Sequence, residues 1–281
     1  MVKKLNCDWS VIKAFNNNIV LATNNESEKI LFAKGIGFNK KLGDIIKSGT
    51  LVEKIFTIED EKNKNNFKEI VNRNDESFVA LCEEIIRDIS DKLGEELSEN
   101  IHVGLIDHID FAVKRLRNKE EIQNPFISEI QTLYNLEFEL AKQASVRLEK
   151  ELGVEIPDGE VGFIALHIHS ARKNGKLSNT MKYSFINNSI LEFIEEELNL
   201  KIDRKSLDYA RFITHVRFAC ERIVTNKTIK NELKDTIKRR YKQSYKLAKE
   251  AAKVIEEQLE AEVTVDEVAY LAIHIERLKN I

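Results

Sequence analysis

The hydrophobic rhythm of the chain changes near residue 59. Before that point apolar residues fall in short runs: Trp9–Phe15, Ile19–Thr23, Lys29–Lys34 and Leu51–Ile58. Asn16-Asn17-Asn18, Asn24-Asn25-Glu26-Ser27 and the glycine-bearing stretch Gly35 to Gly49 separate them. Short runs bounded by turn formers predict β-strands. Residues 1–58 are therefore expected to form one small antiparallel β-domain. Four short strands bury little apolar surface, which predicts a homodimer. Residues 59–75 are polar and charged and read as a linker into the first helix. From about residue 76 the apolar spacing is helical to the end.

The helical part repeats itself. An ungapped shift of 107 residues lays Tyr134–Arg172 over Tyr241–Lys279. Leu140-Ala141-Lys142 then meets Leu247-Ala248-Lys249, and Ala165-Leu166-His167-Ile168 meets Ala272-Ile273-His274-Ile275. Upstream, the same shift puts His108 on His215, Phe111-Ala112 on Phe218-Ala219 and Arg115 on Arg222. The fold class is thus a small antiparallel β-domain followed by two homologous all-α domains, mainly α overall. Their expected spans are 76–180 and 181–281.

Four of the six histidines are matched by the repeat, as His108/His215 and His167/His274. His102 and His169 have no histidine mate, and neither is expected to be a principal acceptor. The helical spacing has a plain packing reading: Leu105, His108, Ile109, Ala112 and Leu116 share one face. The chemical readings are metal binding, proton transfer and phosphoryl acceptance. A metal site wants further ligands at matched positions, yet Asp107 has Thr214 as its mate. Glu160 and Glu267 do match, but they precede His167 and His274 by seven residues, nearly two helical turns. Phosphoryl acceptance needs only an accessible imidazole and a donor. Arg115 and Arg222 are candidate neighbours for the added charge.

Charge distribution adds one point. Residues 1–56 hold nine lysines against five acids, whereas the remainder holds 35 basic and 42 acidic residues. A basic head on an acidic body directs attention to a polyanionic partner for the head. Three widely spaced cysteines (Cys7, Cys82, Cys220) suit reduced thiols in a cytoplasmic protein. No apolar run approaches a membrane span, and the first residues carry no secretory h-region. Nucleotide loops, nucleophile elbows and zinc ligand sets are absent, so no cofactor and no metal is expected.

Taken in order, the motifs resemble the BglG/SacY-type transcriptional antiterminators. Lys13-Ala14-Phe15-Asn16-Asn17-Asn18 and Lys34-Gly35-Ile36-Gly37-Phe38-Asn39-Lys40-Lys41 are similar to the co-antiterminator RNA-binding domain of that family. Asp107-His108-Ile109, Leu166-His167-Ile168, Thr214-His215-Val216 and Ile273-His274-Ile275 fall where its two phosphotransferase-system regulation domains carry histidines. Leu166-His167-Ile168-His169-Ser170-Ala171 and the Lys34-Gly35-Ile36-Gly37-Phe38 loop lean toward the glucose-responsive branch. The resemblance implies a non-enzymatic regulator that binds a hairpin in a leader mRNA and blocks the overlapping terminator of a sugar-uptake operon. It implies phosphorylation at His108, His167, His215 and His274, by a sugar-specific enzyme IIB on the first domain and by HPr on the second. The histidines do not decide whether the HPr input is required. Two departures stand out: Ala33-Lys34-Gly35 replaces a frequent Gly-Arg-Gly, and about eight residues precede the usual start of the β-domain.

The RNA residues also have a direct physical reading. RNA loops are read by stacking, base-edge hydrogen bonds and backbone charge. Phe38 is the stacking candidate, and Asn16, Asn17 and Asn18 offer amide donors and acceptors at a turn. Lys13, Lys34, Lys40 and Lys41 would meet phosphates. Gly35 and Gly37 would permit close backbone approach. The competing readings are a sheet-packing aromatic for Phe38 and a plain hairpin turn for the asparagines. At the level of function, two alternatives remain: a helical His/Asp metal-dependent phosphohydrolase, and a DNA-binding activator carrying the same regulation domains, although no helix-turn-helix is visible near the head.

Overall fold

A computed structural model describes residues 2–24, 26–172 and 177–279. Its strands are β1 (Lys3–Lys4), β2 (Trp9–Asn16), β3 (Ile19–Thr23), β4 (Glu28–Phe32), β5 (Ile45–Ile46), β6 (Leu51–Val52) and β7 (Lys54–Ile58). Five of them form an antiparallel sheet in the order β5-β2-β3-β4-β7, while β1 pairs with β6 in a separate ribbon. The residues ahead of Trp9 therefore belong to the fold. β1 closes the ribbon, Leu5 is buried, and Asp8 binds Lys47 at 2.9 Å.

The central strand β3 is apolar on both faces, with Ile19, Val20, Leu21 and Ala22 all buried. A strand reads that way only when both sides are covered. On one side Trp9, Val11, Val20, Ala22 and Leu31 cluster with Leu5, Ile36, Ile46 and Val52. The other side meets helices. Phe15 makes an edge contact with Phe67, Phe56 one with His102, and Arg87 lies over the Phe32 ring. Both faces of the sheet are thus covered within the same chain.

The stretch expected to be a linker is itself a helix, α1 (Glu61–Arg73). The Asp60 side chain caps its start by accepting from the Asn63 backbone N–H, and Phe67, Ile70 and Val71 are buried. Only three apolar anchors in a polar sequence hid it from a periodicity reading.

Ten further helices follow: α2 (Glu76–Leu93), α3 (Asn100–Arg117), α4 (Ile127–Leu133), α5 (Asn135–Leu152), α6 (Asp158–Arg172), α7 (Leu177–Leu198), α8 (Leu207–Val224), α9 (Lys234–Arg240), α10 (Lys242–Leu259) and α11 (Val265–Leu278). The 107-residue shift carries α3, α4 and α5 onto α8, α9 and α10 with matching ends, and starts α6 where α11 starts. The chain divides into two compact units, residues 1–121 with 140–175, and residues 122–139 with 176–281. The first holds the sheet and most of the first repeat. The second is built on Tyr209, Phe212, Ile213, Val216, Ala248, Ala251, Leu271 and Ile275. α4 belongs to the second unit although the repeat assigns it to the first. The expected border at 180/181 falls inside α7.

Candidate RNA interface and histidine sites

The turn between β2 and β3 is laced to the loop after β4. The Asn18 carbonyl accepts from Ala33 N–H at 3.0 Å, its side-chain oxygen from Gly35 N–H at 2.9 Å, and the Asn17 carbonyl from Gly37 N–H at 3.0 Å. Asn16 Oδ1 accepts from Asn18 N–H at 2.8 Å. These bonds hold exposed Asn17 and Asn18 against exposed Lys34 and Gly35, with Phe38 and Lys41 also exposed further along the same loop. Phe38 is 61% exposed, so it is not a sheet-packing aromatic. Lys40 is half-buried and reaches the Ile45 carbonyl at 3.4 Å.

The two glycines do different work. Gly35 has φ +76°, the left-handed region where a side chain is strained. Gly37 is buried, and a Cβ there would lie 2.1 Å from the Asn16 carbonyl oxygen. Gly37→Ala is therefore expected to displace the turn, cost about 1–3 kcal/mol of stability as an overpacked site, and weaken RNA binding. Thermal melts and RNA titration of the variant check this; an unchanged melt and an unchanged affinity together would refute it.

Lys13 and Asn16 point elsewhere. Lys13 Nζ donates to the Val71 carbonyl at 3.3 Å and lies 3.5 Å from Glu76. Asn16 Nδ2 donates to Glu84 Oε1 at 3.0 Å. Val71 lies in the last turn of α1, and both glutamates lie on α2, so these two RNA candidates are held by the helices beneath the sheet.

The histidine pairs are assembled across helices. In the first unit His108 on α3 lies beside His167 on α6, ring centroids 5.1 Å apart. His108 Nε2 is 3.2 Å from Glu160 Oε2, off the hydrogen-bond axis, and Arg115 donates to Glu160 Oε1 at 2.5 Å. Gly104 makes room for the second ring, since a Cβ there would meet His167 Nδ1 at 3.2 Å.

The second unit repeats the constellation. His215 on α8 stacks on His274 on α11 at 4.7 Å, and His215 Nε2 lies 3.6 Å from Glu267 Oε2. Arg222 donates to both Glu267 oxygens, at 2.6 and 2.9 Å. Burial raises the Glu267 carboxyl, but His215 and Arg222 outweigh it and hold the group below its usual range. Arg115 and Arg222 thus reach the histidines through a buried carboxylate. Sequence spacing missed this role of Glu160 and Glu267, because it measured along one helix and the partner histidine lies on the other. Their match under the repeat was the available signal.

Burial, with the neighbouring His108, pushes the His167 imidazole down to about 3. Burial, followed by His215 and Arg277, pushes His274 down to about 4, with Asp208 opposing. Both rings are neutral at pH 7, so their nitrogens keep a lone pair for nucleophilic attack. The unfolded imidazole titrates near ~6.5. Below that value the unfolded chain binds more protons than the folded one, so stability is full above it and is lost as pH falls toward 4 and 3. Melting temperature is expected to fall between pH 7 and pH 5, and less steeply in His167→Asn. An equal slope in that variant would show that His167 does not contribute.

His102 stands apart from these pairs. It is fully buried with Nδ1 2.9 Å from Glu83 Oε2. Its ring packs against Phe56 and Phe67. Its role is structural.

Among the described residues, no group of three or more His, Cys, Asp and Glu side chains is placed to hold a metal ion. No helix among them is long and apolar enough to cross a membrane. Comparison with known proteins matches residues 9–65 to the CAT RNA binding domain, and residues 83–171 and 188–278 to the PRD domain. The chain is 36% identical over 279 residues to Protein GlcT of Staphylococcus aureus strain JH9, covering 97% of this chain and 98% of that one. Protein GlcT of strain Newman matches to the same extent. A solved structure described as the crystal structure of GlcT CAT-PRDI is 40% identical, with a TM-score of 0.51, covering 59% of this chain and 99% of its own. An RNA-binding head, two matched histidine domains and whole-length similarity together place this chain in the BglG/SacY-type transcriptional antiterminator family.

Proposed function

We propose that this chain binds a hairpin in a leader mRNA and keeps the overlapping terminator from forming, so that transcription continues into a sugar-uptake operon. The observation that carries this is the exposed Phe38, presented with Asn17, Asn18, Lys34 and Lys41 on a segment that matches an RNA-binding domain. An aromatic platform beside amides and cations is the equipment for reading an unpaired RNA base. Lys34 would contact phosphate, because a lysine lacks the fork that reads a guanine edge. The protein acts as a regulator in the cytoplasm, as a homodimer, and not as an enzyme.

His108, His167, His215 and His274 are the phosphoryl acceptors in this reading, with an enzyme IIB serving the first domain and HPr the second. His108 and His215 are 18% and 14% exposed, with the Nε2 of each buried against the carboxylate of a Glu–Arg pair. A phosphoryl group there would set two negative charges against Glu160 or Glu267 and draw the arginine away. The glucose-responsive branch fits the similarity to Protein GlcT.

The test is RNA selection with the full chain from a random structured library. Enrichment of a hairpin bearing internal loops or mismatches supports the reading. Recovery of duplex DNA but no RNA, in a parallel selection, would replace it with the activator alternative.

A further inference from the structure

The two histidine pairs share their Glu–Arg side but differ on the other. Asp208 and Arg211 lie within two turns before His215 on α8, and Arg277 lies one turn after His274 on α11. Asp208 binds both arginines, Arg211 at 3.2 Å and Arg277 at 3.1 Å. Both arginines are half exposed. The Asp208–Arg277 pair ties α8 to α11 beside the stacked rings, and Asp208 and both arginines lie close enough to His274 to act on its charge. The repeat places Ile101, Gly104 and Ser170 at the corresponding positions of the first domain, none of them charged.

We propose that Arg211 and Arg277 form an oxyanion bracket that receives a phosphoryl group at His274, with Asp208 as its placeholder. This rests on the reading of these histidines as acceptors. A phosphoryl group offers three strong acceptor oxygens and more charge than one carboxylate. Two guanidinium forks match that geometry, so the arginines exchange Asp208 for the phosphoryl oxygens as the group arrives. The corresponding first-domain positions, Ile101, Gly104 and Ser170, hold no such charges to exchange. His167 there faces Gly104, where even a Cβ would crowd the ring. The second domain is therefore the faster intrinsic acceptor, before any donor protein exerts a preference. The neutral state of the His274 ring keeps its lone pair free for the attack.

The experiment uses the full chain and potassium phosphoramidate, a small donor that carries no protein surface. An imidazole nitrogen attacks phosphorus and forms the N–P bond. The donor P–N bond breaks with its electron pair on the departing nitrogen, which takes the ring proton and leaves as ammonium. Phosphohistidine is followed by site-mapped mass spectrometry. The second domain is expected to be modified about tenfold faster than the first, the scale of one charged hydrogen bond. The pair R211G/R277S, which imports the first-domain residues, is expected to remove that advantage, and R211K/R277K to restore part of it. Asp208→Asn is expected to speed modification by freeing the arginines, whereas a merely structural Asp208 would slow it. Equal rates in the two domains, or an unchanged rate in R211G/R277S, would overturn the bracket while leaving the acceptors in place. Absence of phosphohistidine at all four histidines would instead overturn the acceptor reading, and the bracket with it.

Discussion

Glu83→Ala is expected to destabilise the first unit by about 1–3 kcal/mol, the usual cost of leaving a buried hydrogen-bonding group without its partner. Glu83 and His102 are fully buried, and His102 Nδ1 sits 2.9 and 3.0 Å from the two Glu83 oxygens. The ring has no second polar partner, since its Nε2 is buried without a hydrogen bond. Removing the carboxylate leaves the imidazole in an apolar site formed with Phe56 and Phe67. Glu83→Gln keeps an acceptor oxygen and is expected to lose less. The double change Glu83→Leu with His102→Phe removes both polar groups and is expected to recover much of the loss, as buried pairs often do when replaced by apolar residues. Urea denaturation of the set measures this. A loss below about 1 kcal/mol in Glu83→Ala, the scale of an ordinary hydrogen bond, would show that the pair is dispensable.

Phe38→Ala is expected to weaken hairpin binding by about 1–3 kcal/mol, roughly 5- to 150-fold, with no change in melting temperature. The two halves of that statement come from one observation: the ring is mostly exposed and so contributes little to the core. Titration with the selected hairpin, alongside a thermal melt, gives both numbers. Lys34→Ala is expected to behave differently, reducing affinity more evenly across RNA sequences and lowering the dependence on salt by about one phosphate contact. If Phe38→Ala binds like the parent, the base-stacking role belongs to another group.

The duplication was legible because histidines and small apolar residues hold their places under a fixed shift. Leu166-His167-Ile168 over Ile273-His274-Ile275 survives whatever the helices do. The strands were legible where turn formers bound them, as Asn16-Asn17-Asn18 does between β2 and β3. α1 escaped because its buried Phe67, Ile70 and Val71 are too few to set a period. β1 escaped because two exposed lysines carry no alternation. The Glu160–His108 and Glu267–His215 contacts escaped because they join different helices, and spacing along a chain reports only neighbours on one helix. The turn of Lys13 and Asn16 toward α2 has the same origin: no local pattern records which surface a strand faces. Residues 122–139 show the limit of repeats, since a matched sequence need not pack within its own copy.

For any RNA contact made through Lys13 or Asn16, the hold of α1 and α2 on these side chains makes recognition an exchange. A ligand that must displace an internal partner binds more weakly than it would bind a bare surface, by the free energy of that separation. Glu76 and Glu84 bring carboxylate oxygens to these side chains, the kind of acceptor a phosphate backbone would also offer. Reciprocity would then hold: whatever loosens α2 would strengthen such a contact by the factor with which the RNA loosens α2. An RNA that used these side chains would compete with a protein helix for them, and its grip would be set partly by residues that need never touch RNA.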